Sequence, residues 1–210
     1  MRKPLSRTPR TPGWIAALLL APLGAAALDC ARLAAATEPT LRLICAEPEL
    51  RAADDLLNQL YRAALAKAGP AAPLRAEQLS WIRSAQAPCR DAACLREAYA
   101  QRIAALRRAL SPWCATQRGA IVGDWARAGE AGFFEEFSAG PQGEFDSWQQ
   151  QRPQISGGRW IWRPDCGITI ASEVGLGVEW ILIDAKKNAE FSVLEPGVPG
   201  VARYRLLKAP

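Results

Sequence analysis

The spacing of apolar residues along this chain changes twice. Trp14 to Leu23 forms an unbroken apolar run, residues from about Asp29 to Leu110 repeat at helical spacing, and residues beyond Trp113 alternate with polar ones. In the middle stretch, Pro48 stands where a first-turn proline is tolerated, and Leu50, Ala53, Leu57, Tyr61 and Ala64 fall on one stripe that should stop near Gly69-Pro70. A second helix is expected from around Leu74, carrying Gln78, Trp81, Ile82 and Ala85 and ending before Pro88. A third, opened by Asp91, carries Leu95, Tyr99, Ile103, Leu106 and Leu110. A shorter helical stretch should cover part of 30–45. Asp54 interrupts an apolar stripe; it either rolls to the edge or is buried and satisfied by Gln78 or the Trp81 indole.

Past Trp113 helix-forming alanine thins out and aromatics and glycines rise. Short alternating segments follow at 121–125, 132–137, 143–148, 158–163, 166–170, 178–183, 191–194 and 202–206, separated by Gly, Pro and Asn turns. That spacing predicts an antiparallel barrel or sandwich. Val178, Trp180 and Leu182 should face inward, as should Ala202, Tyr204 and Leu206, with Arg203 and Arg205 turned to water. The expected fold class is α+β: a disulfide-braced N-terminal helical bundle over 28–112, then an antiparallel β-barrel or sandwich over 113–210.

The N-terminus changes the reading of charge. A basic stretch, a short apolar middle and Gly24-Ala25-Ala26-Ala27 have the three-part layout of a secretory signal peptide, with cleavage expected after Ala27. An apolar run of roughly 10 residues is short against the ~20 that span a bilayer, so no stable membrane anchor is expected. Asp29 before Cys30 disfavours lipidation. Removal of 1–27 takes away Arg2, Lys3, Arg7 and Arg10, and the formal charge falls from +5 to +1. The mature chain therefore has no cationic field for nucleic acid.

All six cysteines, Cys30, Cys45, Cys89, Cys94, Cys114 and Cys166, lie in the mature part, and an even number in an exported chain reads as disulfides. Antiparallel packing of the second and third helices brings Cys89 close to Cys94 and to the start of the Pro48 helix, which follows Cys45. Two bridges among the first four cysteines would staple the bundle, with no pairing chosen, and Cys114 with Cys166 would pin the two domains. The chain holds no histidine, which removes the usual general base of Ser and Cys hydrolases and the commonest metal ligand. No catalytic residues, no metal and no cofactor are expected.

Asp29-Cys30, Ile44-Cys45, Pro48, Leu50, Asp54, Leu57 and Tyr61, then Gln78-x-x-Trp81, Cys89 and Cys94-Leu95-x-x-x-Tyr99-x-x-Arg102-x-x-x-Leu106 together resemble the helical domain of the LprI family of lysozyme-inhibitor-like proteins. The resemblance covers 29–110. It implies a secreted or periplasmic four-cysteine domain, with Asp54, Tyr61, Gln78, Trp81, Tyr99 and Arg102 as structural motif residues and lysozyme inhibition as the family's activity. The sequence departs from the family pattern at Ala85-Gln86, where Arg-Asp is frequent, and at Leu41, where an acid is common. More weakly, the Gly123-x-Trp125 opening and the Tyr204-Arg205 close resemble small lipocalin-like barrels of bacterial exported proteins. Ser156-Gly157-x-x-Trp160 is similar to the Ser-Gly-x-x-Tyr loop of periplasmic MliC-type lysozyme inhibitors, with Trp in place of Tyr.

Lysozymes are strongly basic, and an inhibitor needs an acidic rim to steer them. Residues 113–210 carry twelve acids against ten Lys and Arg, with Glu130, Glu135, Glu136, Glu144 and Asp146 clustered early. Glu135, Glu136, Ser156 and Trp160 are the candidate partner-binding residues, and lysozyme or another cell-wall-active protein is the expected partner. Two other readings remain: a periplasmic carrier with a small apolar ligand in the barrel, and a hydrolase working through carboxylates. Glu135 and Glu136 are adjacent and so are expected on opposite faces of a strand, which argues against the hydrolase.

Overall fold

The computed structural model describes residue 30 and residues 38–175, 177–186, 189–196, 198 and 200–208. The expected leader and its expected cleavage after Ala27 lie outside these residues. Four α-helices come first: α1 (Pro39–Ala46), α2 (Pro48–Lys67), α3 (Ala71–Trp81) and α4 (Ala92–Ala115). Prolines at the first turn open α1 and α2, where the missing N–H would be unpaired in any case. Asp91 caps α4 by accepting from the Cys94 N–H at 2.8 Å.

Of the expected stripe of α2, Leu50, Leu57 and Ala64 are buried and Ala53 and Tyr61 partly so, while Leu60, outside that stripe, is buried too; together they pack on Leu95, Tyr99, Leu106 and Leu110 of α4. The second helix starts earlier than the sequence suggests, at Ala71, and Trp81 is followed by a π-helical turn, Ile82–Gln86. The third helix runs through Pro112 to Ala115 instead of fading near Leu110, because its C-terminal turn carries the buried, bridged Cys114.

A 3₁₀ turn, Arg118–Ile121, leads into eight strands: β1 (Gly123–Arg127), β2 (Glu136–Ala139), β3 (Glu144–Gln149), β4 (Arg152–Trp162), β5 (Gly167–Ala171), β6 (Gly177–Lys186), β7 (Glu190–Leu194) and β8 (Ala202–Lys208). Each pairs antiparallel with its sequence neighbour, and β1 closes on β8, so the sheet is an up-and-down barrel without free edges. The sequence left barrel and sandwich open; the closing β1–β8 pair makes it a barrel. The first strand begins at Gly123 because Ile121 is taken up by the 3₁₀ turn. The second begins only at Glu136, because Phe133 and Phe134 bend and drop the Phe134 ring into the core. The fourth reaches back to Arg152, six residues before the expected start, and takes in Pro153 beside a register shift.

The barrel is filled by aromatic rings. Phe137 lies 5.4 Å from Trp180 and 5.1 Å from Tyr204, and Phe134 lies 5.2 Å from Phe145 and 5.7 Å from Trp180, centroid to centroid. Trp180, Leu182, Ala202 and Tyr204 are buried as alternation demands, Val178 and Leu206 pack at the edge of the same core, and Arg203 and Arg205 are exposed. At Gly158 an added Cβ would meet the Phe145 and Ala171 carbonyl oxygens at 3.0 Å each, so the strand can pass there only without a side chain.

The alternation fails where the helices cover the barrel. Trp180, Ile181 and Leu182 are buried in succession, as are Phe191 to Leu194, because Ile181 and Leu194 face outward into the helical core. Three links pin this junction. Cys114 and Cys166 are bridged, Arg107 Nη2 lies 2.5 Å from Asp165 Oδ2, and Lys67 Nζ lies 2.5 Å from Asp184 Oδ1.

Candidate binding surfaces

Five of the six motif residues of the helical domain, Asp54, Gln78, Trp81, Tyr99 and Arg102, make hydrogen bonds inside the bundle rather than an open site. Asp54 is 6 % exposed. Its Oδ1 accepts from the Tyr99 hydroxyl at 2.7 Å and its Oδ2 from Asn58 Nδ2 at 3.0 Å. Of the two expectations for Asp54, burial holds, but its partners are Tyr99 and Asn58 and not Gln78 or Trp81. Burial pushes the Asp54 carboxyl above its ordinary value, with Asp55 adding to the rise and the two hydrogen bonds opposing it. The Tyr99 phenol is raised as well, by burial first and then by the Asp54 charge.

Gln86 Nε2 donates to the Tyr99 oxygen at 2.9 Å. The π-helical turn after Trp81 is what carries Gln86 to that place, so a position where the sequence departs from the family pattern contributes a bond to the motif. Gln78 Oε1 accepts from buried Arg102 Nε at 2.9 Å, and Trp81 donates to the Ala98 carbonyl at 3.3 Å while its ring meets Tyr99 edge to face. Tyr61 is half-buried against the same core. Asn58 and Gln86 gave no sequence signal, since nothing in the apolar spacing marks either one.

The cysteines pair Cys30–Cys45, Cys89–Cys94 and Cys114–Cys166, with Cα separations of 5.4–5.5 Å. Two bridges therefore staple the bundle and the third pins the domains.

The four candidate partner-binding residues do not converge. Trp160 is buried in the barrel and donates to the Gly140 carbonyl at 2.9 Å. Ser156 is exposed, but it stands inside β4, where the MliC resemblance would place a loop. Glu136 points outward from β2, exposed. Glu135 precedes that strand, so the two glutamates do not occupy opposite faces of one strand. Its Oε2 accepts from the Gln150 N–H at 2.6 Å, and its Oε1 lies 3.8 Å from Arg127 Nη2. It thereby clamps a two-residue β3–β4 turn in which both Gln150 and Gln151 have positive φ, 49° and 62°.

A carboxylate that the sequence did not single out sits at one end of the barrel. Glu195, 5 % exposed, accepts from Trp180 Nε1 at 2.6 Å, from the Phe133 N–H at 2.9 Å and from the Tyr204 hydroxyl at 3.3 Å. It ties β6, β8 and the β1–β2 connection together, and its charge adds to the burial that raises the Tyr204 phenol. As a lone acid after an apolar strand it reads as a surface strand end.

Among the described residues several open grooves remain, two of which bear on binding. A groove of about 470 Å³ runs between α2 and the β7–β8 connection, with Ala52, Leu56, Ile103, Leu194 and Pro196 in its walls, and Gln59 in it carries a buried Oε1 that meets no hydrogen-bond partner among the described residues. A second groove, about 430 Å³, lies on the outer barrel face among Asp124, Glu136, Ser138, Trp148 and Leu207. Among the described residues no group of His, Cys, Asp and Glu is arranged to hold a metal ion, and no helix is long and apolar enough to cross a membrane.

Residues 30–116 match the model of a family described as Lysozyme inhibitor LprI. The matched segment holds the four described helices, both bundle disulfides and the six motif residues from Asp54 to Arg102, and it stops just after α4. No curated protein and no solved structure matches the chain.

Proposed function

We propose, from a helical half that is an LprI-type domain, that this is an exported protein that binds a lysozyme or another peptidoglycan-active protein and holds it inactive at a stoichiometric ratio. The observation that carries the reading is the match over residues 30–116, in a segment where Asp54 pairs with Tyr99 and Gln78 with Arg102 inside the bundle. Six cysteines in three disulfides fit an oxidising compartment outside the cytoplasm. The test is cell-wall lysis by lysozyme followed by turbidity, with purified protein added in steps. Lysis should stop at about one equivalent; unchanged lysis at large excess overturns the reading.

A carrier of a small apolar ligand is the second reading, and the groove between the domains favours it. Its volume and largely apolar walls suit such a molecule, and domain junctions are common ligand sites. Inside the barrel a ligand would have to part Phe137 from Trp180 and Tyr204. An environment-sensitive apolar dye should then be displaced by substituting Leu56 with Arg, while lysis by lysozyme stays unaffected.

A further inference from the structure

The outward face of β1, β2 and β3 carries two rows of side chains in register. Asp124 stands opposite Ser138, and Ser138 opposite Asp146; one step along, Ala126 stands opposite Glu136, and Glu136 opposite Trp148. The intervening residues Trp125, Phe137, Phe145 and Ser147 are buried, which fixes the first set on the outside. Directly opposed side chains on a sheet have Cβ atoms about 5 Å apart, so charges placed this way act on one another. Sheets normally mix the signs. Here three carboxylates share the face of β1–β3 and none forms an ion pair among the described residues; the cations in these rows, Lys208 in register with Asp124 and exposed Arg205 in register with Ala126, stand on the bordering strand β8.

Trp148 supplies the second observation. Its indole is partly exposed and lines the groove beside Glu136; like those of Trp113 and Trp162 its N–H meets no acceptor among the described residues, while the indoles of Trp81, Trp125, Trp160 and Trp180 donate to an oxygen. Elsewhere the same molecule shows what an indole and a carboxylate set side by side will hold. Lys67 Nζ lies 4.4 Å from the centre of the Trp113 ring and 2.5 Å from Asp184 Oδ1, with the ammonium between them. Trp148 and Glu136, opposite each other on β3 and β2, offer the same two groups to solvent. The acids are not grouped to hold a metal ion, so charge spread over this face suits cationic side chains presented by another surface.

We infer that the β1–β3 face is a docking surface for a strongly basic protein, with a Lys or Arg side chain of that protein stacked on Trp148 and paired with Glu136, and with Asp124 and Asp146 as its flanks. The inference rests on the reading above in taking a lysozyme as the basic protein. Exposed ion pairs add little affinity singly, so the face acts mainly by speeding encounter and by holding register.

The experiment is calorimetric titration of the full chain with a basic lysozyme at low and at high salt, for the parent and for the variants Asp124→Asn/Glu136→Gln, Trp148→Ala and Trp148→Phe. Glu173→Gln, on an exposed turn away from this face, is the control, and thermal melting checks that each variant is folded. The parent should bind with an affinity that falls as salt rises. The double variant and Trp148→Ala should each weaken binding at least ten-fold, the double variant with a flatter salt response, while Trp148→Phe and Glu173→Gln stay near the parent. If the parent binds lysozyme and these variants bind equally well, the face is wrong and the lysozyme reading stands. A parent that ignores lysozyme but binds an oligo-arginine peptide in a Trp148- and Glu136-dependent way keeps the face and removes the lysozyme reading. Binding of neither overturns both.

Discussion

The Tyr99 hydroxyl donates to Asp54 Oδ1 at 2.7 Å, joining α4 to α2 at a point where neither side chain reaches water. Tyr99→Phe removes that donor and leaves a buried carboxylate with Asn58 as its one side-chain partner. The variant should be less stable by about 1–3 kcal/mol in denaturant unfolding.

The same carboxylate sets a pH dependence. Its folded pKa is raised above the ordinary carboxyl value, so the folded state keeps its proton to higher pH than the unfolded chain does. The contribution is fully present below the unfolded pKa and is lost as pH rises through the folded one. Relative to Asp54→Asn, the parent's melting temperature should therefore be more favourable near pH 3 than near pH 7. An equal difference at both values would contradict the raised pKa.

Cys114–Cys166 closes a sequence separation of 52 residues across the domain junction. Replacing both cysteines by serine should cost about 4 kcal/mol by the loop-entropy relation. Calorimetry should also show a broadened or split melting transition as the junction weakens.

Glu195→Ala would strand the Trp180 indole N–H, the Tyr204 hydroxyl and the Phe133 N–H inside the barrel. A loss of about 3 kcal/mol or more is expected, with a shift in Trp180 emission that a remote surface variant does not produce. At the other end of the scale, Gln151→Gly relieves a left-handed residue in the β3–β4 turn and should stabilise by up to about 1 kcal/mol.

How far the sequence could be read depended on whether each feature lay in a period or in a contact between distant parts. Leu50, Leu57 and Ala64 on α2, the N-cap at Asp91 and the inward set Trp180, Leu182, Ala202 and Tyr204 follow from spacing alone, and the structure has them. Glu195 and Gln86 could not be found that way, because each takes its meaning from partners on other elements. The run Trp180 to Ile183 did contain a clue. Four apolar residues in succession break strict alternation, which is the mark of a strand covered on both sides. The cysteines suggested a stapled bundle and a domain link but left the pairing open, since proximity of chain ends is a property of the packed helices.

Ile181 and Leu194 carry one more consequence. They grow from barrel strands yet complete the hydrophobic centre of the helices, so severing the chain after α4 would leave a greasy scar on each piece. Bundle and barrel are therefore expected to fold, melt and evolve as partners, with neither half serving as a faithful stand-in for the other.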